Sequence, residues 1–212
     1  MKSGKKAGRL TILLIFISHW SCYEFNSLQT ARLLSKNEIN IMPDYCSMYY
    51  TYKERYKHIS NNIGFQLGYG FSNSYNAIIR YSRIRFSEYD VGYNYLNIDS
   101  KFCLIKNRIA ISAPVGLYFG RAVDFTESVN VQPTIYLTFQ LNRFLDVTVA
   151  PKYIIYIPSL EGLGAVNANL AIHFFGRKIT LIPEIGFACT PDLQDRFGYW
   201  SIGIAYQQPL SL

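Results

Sequence analysis

From residue 63 to residue 206 the chain repeatedly alternates apolar and polar positions. The cleanest stretch is 129–142, VNVQPTIYLTFQLN. Val129, Val131, Ile135, Leu137, Phe139 and Leu141 fall on one face, with Asn130, Gln132, Thr134, Tyr136, Thr138 and Gln140 on the other. Successive side chains of a strand point to opposite faces, so this pattern predicts a two-faced strand. At about 3.3 Å per residue it is long enough to cross a bilayer at a tilt. Pro133 removes one ladder hydrogen bond within it. The same alternation predicts strands over 65–71, 144–157, 166–174, 179–187 and 199–206. Upstream, Tyr89, Val91, Tyr93 and Tyr95 are set on the apolar face, opposite Glu88, Asp90, Gly92 and Asn94. With 75–84, 100–106 and 108–119 the total is about ten strands, or eight if the short fourth segment and its neighbours merge. No helical crossovers intervene, so the expected sheet is an antiparallel meander closed into an up-and-down barrel.

The composition of the polar face decides which way the barrel is turned. A water-soluble barrel would carry Lys, Glu and Asp outside. Here the polar face is mostly Asn, Gln, Thr, Ser, Gly and Ala with isolated charges, and the apolar face carries large Ile, Leu, Val, Phe and Tyr. That suits a narrow polar lumen and a lipid-facing wall, the outer-membrane type. Long connections at 120–128, 158–163 and 190–196 alternate with short ones at 142–143 and 176–178, the asymmetry of outward loops and periplasmic turns. Both barrel ends then lie on the periplasmic side. Tyr89, Phe119, Tyr156, Phe174, Phe197 and Trp200 near strand ends are candidates for interfacial girdles.

The first 22 residues, MKSGKKAGRLTILLIFISHWSC, have a basic start and an apolar core of about eight residues. A spanning helix needs about 20 apolar residues, so this is the layout of an export signal. Ser21–Cys22 supplies the small residue and cysteine of a lipoprotein signal, and acylation (palmitate among the chains) is expected at Cys22. Ordinary secretion and an uncleaved anchor are the alternatives. The formal charge of the whole chain is +7; the signal holds four of the 21 Lys+Arg and no acid, leaving +3. The basic excess therefore belongs mostly to targeting, and no nucleic-acid partner is expected. Residues 22–62 read as a periplasmic linker, with a short helix over 27–36 suggested by Leu28, Ala31 and Leu34 at helical spacing. The barrel domain is expected over 63–212.

Cys22 followed by Gln29–Arg32 (Gln-Thr-Ala-Arg), a linker and a meander to the C-terminus together resemble a loose group of uncharacterised bacterial outer-membrane β-barrel lipoproteins. The resemblance covers nearly the whole chain. It implies fold and location in the outer membrane of a Gram-negative bacterium, and no defined activity.

The candidate chemistry lies inside the barrel. Arg80, Glu88, Asp90, Asp146, Lys152, His173 and Glu184 are expected to form a polar network that plugs the lumen, because buried charges must pair. A lipid hydrolase would need a His on the apolar face with a Ser near it, and His173 has the opposite parity. No phosphate loop, zinc spacing or calcium loop occurs, so no cofactor or metal is expected. Cys46, Cys103 and Cys189 are expected to be free, with a Cys46–Cys189 bridge as the alternative. The reading is a non-enzymatic outer-membrane barrel lipoprotein with a structural or surface-interaction role. Its partners would be outer-membrane lipid and a surface partner met by loops 120–128, 158–163 and 190–196. A soluble lipocalin-like lipoprotein binding an apolar ligand is the alternative, and a barrel lipid hydrolase the lesser one.

Overall fold

The computed structural model describes residues 25–52, 55–87, 92–120, 128–157, 159–191 and 195–210. The sheet begins with β1 (Glu38–Tyr52), β2 (Arg55–Ser72), β3 (Tyr75–Phe86) and β4 (Gly92–Ile105). It continues through β5 (Ile109–Ser112), β6 (Val115–Phe119), β7 (Val129–Val131) and β8 (Thr134–Asn142). It ends with β9 (Leu145–Tyr156), β10 (Gly162–Phe174), β11 (Ile179–Cys189) and β12 (Arg196–Pro209). β5 and β6 both pair with β4, and β7 and β8 both pair with β9. Each couple is one wall strand interrupted at a proline, Pro114 or Pro133, which cannot donate to a ladder. The interruptions meet, since the Gln132 N–H donates to the Pro114 carbonyl at 2.9 Å. The wall thus has ten antiparallel strands in meander order. β1 pairs with β12 from Glu38↔Pro209 to Thr51↔Arg196, so the barrel has no free edge.

Parity divides the wall as the alternation requires. Ile63 and Ile185, each 66% exposed, face outward among many large apolar side chains, whereas Gln66, Asn167, Asn169 and Thr148 are buried inside. An apolar exterior with a polar interior is the reverse of a lipocalin-like barrel, so that alternative is overturned. Replacing Ile185 by Lys, at mid-strand on the outer face, should cost roughly 2–4 kcal/mol near the bilayer midplane. Titrated unfolding of the liposome-embedded barrel would read that loss, and an unchanged midpoint would reject the lipid-facing assignment.

Three expectations need correction. The linker ends early: β1 lies wholly within 22–62, and β2 starts there too, so the barrel begins at Glu38 rather than 63. Segments 89–95 and 100–106 merge into the single strand β4, and β1 makes the count up to ten. β4 is also turned the other way. Tyr95 is buried inside and Asn94 faces out, bonded by Tyr81 and Arg83. A glycine two residues along the neighbouring strand makes room for Tyr95: a Cβ on Gly116, which pairs with Asn97, would sit 2.2 Å from the Tyr95 hydroxyl, so the ring lies over bare backbone. Asn97 and Gln132 donate to that hydroxyl.

Among the candidate girdle aromatics, Phe119, Phe174 and Trp200 do face outward, whereas Tyr156 and Phe197 are buried inside and Tyr89 lies outside the described residues. The short turn placed at 142–143 falls at 143–144. No disulfide joins Cys46, Cys103 and Cys189 among the described residues.

Candidate functional site: a lumen threaded by the N-terminal segment

Residues 25–35 run through the lumen without regular secondary structure, so the helix expected over 27–36 does not form. Phe25, Leu28, Ala31 and Leu34 are all buried, but against the wall rather than along one helix face. Phe25 packs on Phe197 and Tyr199, with ring centroids 5.6 and 6.0 Å away. It belongs to an apolar collar in the half of the lumen nearest the long loops, with Ile84, Tyr95, Ile154 and Leu163. Leu28 clusters with Met42, Ile182 and Ala205, and Ala31 with Ala110, Tyr136 and Ala150.

The backbone of this segment has left water and must find partners in the wall. Glu184 accepts from the N–H groups of both Ser27 and Leu28 at 2.8 Å. Leu28 has a positive φ of 48°, a left-handed bend that lets consecutive N–H groups converge on one carboxylate. Thr138 accepts from the Ala31 N–H at 2.7 Å. Carbonyls are met in turn: Phe25 by Asn167 and Tyr199, Asn26 by Arg80, Gln29 by Asn169, and Thr30 and Arg32 by Lys101.

Two ion pairs fix the charged members. Arg80 binds Asp44 at 2.5 Å, both buried. Arg32 reaches the two oxygens of Asp146 at 2.5 and 3.1 Å, and His173 holds the same carboxylate at 2.9 Å while its other ring nitrogen meets Thr180 at 3.0 Å. Lys152 lies 3.4 Å from the Ser27 hydroxyl. Beyond the wall strands, burial and then the adjacent Arg32 charge lower the Arg177 guanidinium from its ordinary value, with Asp146 opposing.

At the short-turn mouth the segment reverses into β1. Ser35 donates to Glu38 at 2.7 Å, Asn37 takes the left-handed conformation, and its N–H donates to the Gly70 carbonyl at 2.8 Å. The crossing is close: a Cβ on Gly70 would lie 2.0 Å from the Ser35 carbonyl oxygen. Backbone cannot swing aside as a side chain can. Gly70→Ala should therefore lower the temperature at which the folded, fast-migrating gel form is lost, whereas Gly164→Ala, with nothing within 4 Å of the new methyl, should leave it unmoved.

Of the candidate network, Arg80, Asp146, Lys152, His173 and Glu184 are brought together inside, and Glu88 and Asp90 lie outside the described residues. The network differs from the expected one in kind, because much of it addresses the threaded backbone. Asn26, Arg32, Asp44, Asp99 and Lys101 were not legible as members. The first three sit in the stretch read as linker; Asp99 lies between two segments read as separate strands, and Lys101 in a segment, 100–106, given no faces. His173 faces inward beside Asp146 and Thr180, so no lipid-facing hydrolase set is built on it. Among the described residues no three His, Cys, Asp or Glu gather as a metal site.

No protein-family model and no curated protein matches the chain. Solved structures do. An outer membrane channel from Pseudomonas putida F1 is 11% identical with TM-score 0.50, covering 87% of this chain and 100% of its own. The translocator domain of autotransporter NalP from Neisseria meningitidis is 6% identical with TM-score 0.45, covering 95% of both chains. Ail, the attachment invasion locus protein of Yersinia pestis, is 12% identical with TM-score 0.37, covering 82% of this chain and 99% of its own. At such identities the likeness is one of fold: an all-β, antiparallel, closed barrel of the outer-membrane type.

Proposed function

We propose that this chain is a lipid-anchored barrel of the Gram-negative outer membrane, acylated at Cys22, whose lumen is sealed by its own N-terminal segment. It acts as a surface or structural element rather than as a pore or an enzyme. The observation that carries this reading is the threaded lumen. Glu184, Thr138, Asn167, Asn169, Arg80 and Lys101 all bond the backbone of residues 25–35, which therefore occupies the path a solute would take. Loops 120–128, 158–163 and 190–196 are the part offered to a partner, in keeping with loops that carry function on a rigid scaffold. Cys22 and residues 121–127, 158 and 192–194 lie outside the described residues.

The test uses the whole protein in its native membrane. It should resist carbonate extraction and run faster on gels unheated than heated, and purified barrel in planar bilayers should pass no steady current. Labelled palmitate should enter the wild type and not Cys22→Ala. Release by carbonate without a mobility shift would end the membrane reading, and steady current through the intact chain would end the sealed-lumen reading.

A further inference from the structure

The short-turn ends of the wall are not level. β5 last pairs with β8 at Ile109↔Leu137, and the Thr138 N–H donates to the Arg108 carbonyl at 2.8 Å. Beyond that point β8 runs on to Asn142, paired on its other side with β9 through Phe139↔Val147 and Gln140↔Asp146. Among the described residues no strand covers its β5 side there. Ladder groups alternate sides along a strand, so Gln140 turns its N–H the way Thr138 does, into the gap. The gap opens a groove of about 740 Å³ between the 106–108 turn and the end of the β8–β9 hairpin.

The lining is of two kinds. Leu137, Phe139 and Leu141 face outward, the last two 59% and 60% exposed, and continue the lipid-facing wall to within two residues of the turn. Lys106, Arg108 and Arg143 are exposed and line the same groove. No carboxylate among the described residues lines it. Asp146, across from Gln140, points into the lumen and is taken by Arg32 and His173. The Arg143 guanidinium is steadied over the Phe144 ring, 4.5 Å from its centroid. Three like charges without a counter-charge, at the foot of an apolar wall, suit an anion that carries its own apolar body.

We propose that this groove holds an anionic phospholipid of the leaflet at the short-turn mouth. Its phosphate meets Lys106, Arg108 and Arg143, the Gln140 N–H supplies a further donor, and an acyl chain lies along Leu137, Phe139 and Leu141. The inference rests on the membrane-barrel reading above, which puts that wall in lipid. Free phosphate would use the cations and not the apolar wall. A zwitterionic lipid would bring a cation of its own to a cluster that already has three.

Lipid retention by the purified full chain, read by native mass spectrometry from a nonionic detergent, tests this. Each preparation is first run for heat-modifiable mobility. A wild-type chain without that shift ends the membrane-barrel reading and this inference with it. With the shift present, phosphatidylglycerol should be retained at least tenfold more tightly than phosphatidylcholine. Arg143→Gln should weaken it about fivefold and Lys106→Gln with Arg108→Gln roughly thirtyfold, at about a fivefold loss for each cation near an anionic headgroup. Lys36→Gln with Lys178→Gln, exposed cations at the same mouth outside the groove, should change it less than twofold. Equal retention of the two lipids by an intact barrel overturns the proposal alone. An equal loss in the two double variants also overturns it, since the attraction would then be a diffuse field. So does full displacement of the lipid by millimolar inorganic phosphate, which would make the site one for phosphate without lipid. If the groove double variant does not fold, Arg143→Gln against Lys178→Gln decides between the same outcomes.

Discussion

A barrel lacking residues 25–35 should conduct ions where the intact chain does not. The wall that surrounds the segment is polar: Glu184, Asp146, Asn167, Asn169 and Thr138 all face inward and all lose partners when the segment is removed. Groups of this kind cannot collapse onto each other as apolar side chains would, because each needs a donor or acceptor and the rigid sheet keeps them apart. Water is the available replacement, and a hydrated polar lumen through ten strands is a conduit. The apolar collar remains, and with Phe25 gone its Tyr95, Ile154 and Leu163 line a gap rather than enclose a ring. The measurement is single-channel current in planar bilayers, with stepwise openings from the truncated chain and a flat trace from the full one. Glu184→Ala should lie between, since it strands two backbone donors at about 1–3 kcal/mol each and loosens the segment without removing it. A folded truncated barrel that stays silent would mean that the wall side chains alone seal the lumen.

The second large effect is expected at the Arg80–Asp44 pair. Both groups are buried, and the Arg80 guanidinium also donates to the Asn26 carbonyl at 3.1 Å. Removing one member leaves the other charge buried without its counterion, and such changes cost about 3–5 kcal/mol. Arg80→Ala should therefore lower the unfolding midpoint in urea or on heating far more than a surface change does. Exchanging both residues for apolar side chains of similar volume, Arg80→Met with Asp44→Leu, should recover most of the loss, because the desolvation of two ions goes with them. A double variant no better than Arg80→Ala would show that Arg80 matters through Asn26, and hence through the threaded segment, rather than through Asp44.

Much of the wall was legible in the sequence, for one physical reason. A bilayer rewards apolar side chains at every second position and a lumen rewards polar ones between them, so parity is written twice over in 129–138, 145–152, 166–174 and 179–187. The lumen residues Arg80, Asp146, Lys152, His173 and Glu184 follow from parity alone. β1 was missed because Met42, Cys46 and Met48 face inward where polar residues are the rule, and Pro43 interrupts the pattern. β4 was inverted because tyrosine suits either face, being apolar along its ring and polar at its tip, and the room for it inside comes from the bare Gly116 backbone on the neighbouring strand. Residues 25–35 were beyond periodicity altogether. A segment inside a tube is surrounded, so Leu28, Ala31 and Leu34 owe their burial to separate neighbours and not to a common face. Their three-residue spacing imitates a helix without requiring one.

The seam between β1 and β12 joins the two ends of the sheet, and the segment it encloses is continuous with β1. This constrains assembly in time. The bond from Tyr199 to the Phe25 carbonyl links residues 174 apart, and those from Ser27 and Leu28 to Glu184 span 157 and 156. Contacts so remote in sequence form late, after the chain entropy of large loops has been lost. Yet the segment has to be inside before the last strand zips onto the first, since a closed cylinder offers its N-terminus only a narrow axial entry. Folding must therefore wrap the growing sheet around its own leader, and β12 would seal a barrel already occupied rather than an empty one.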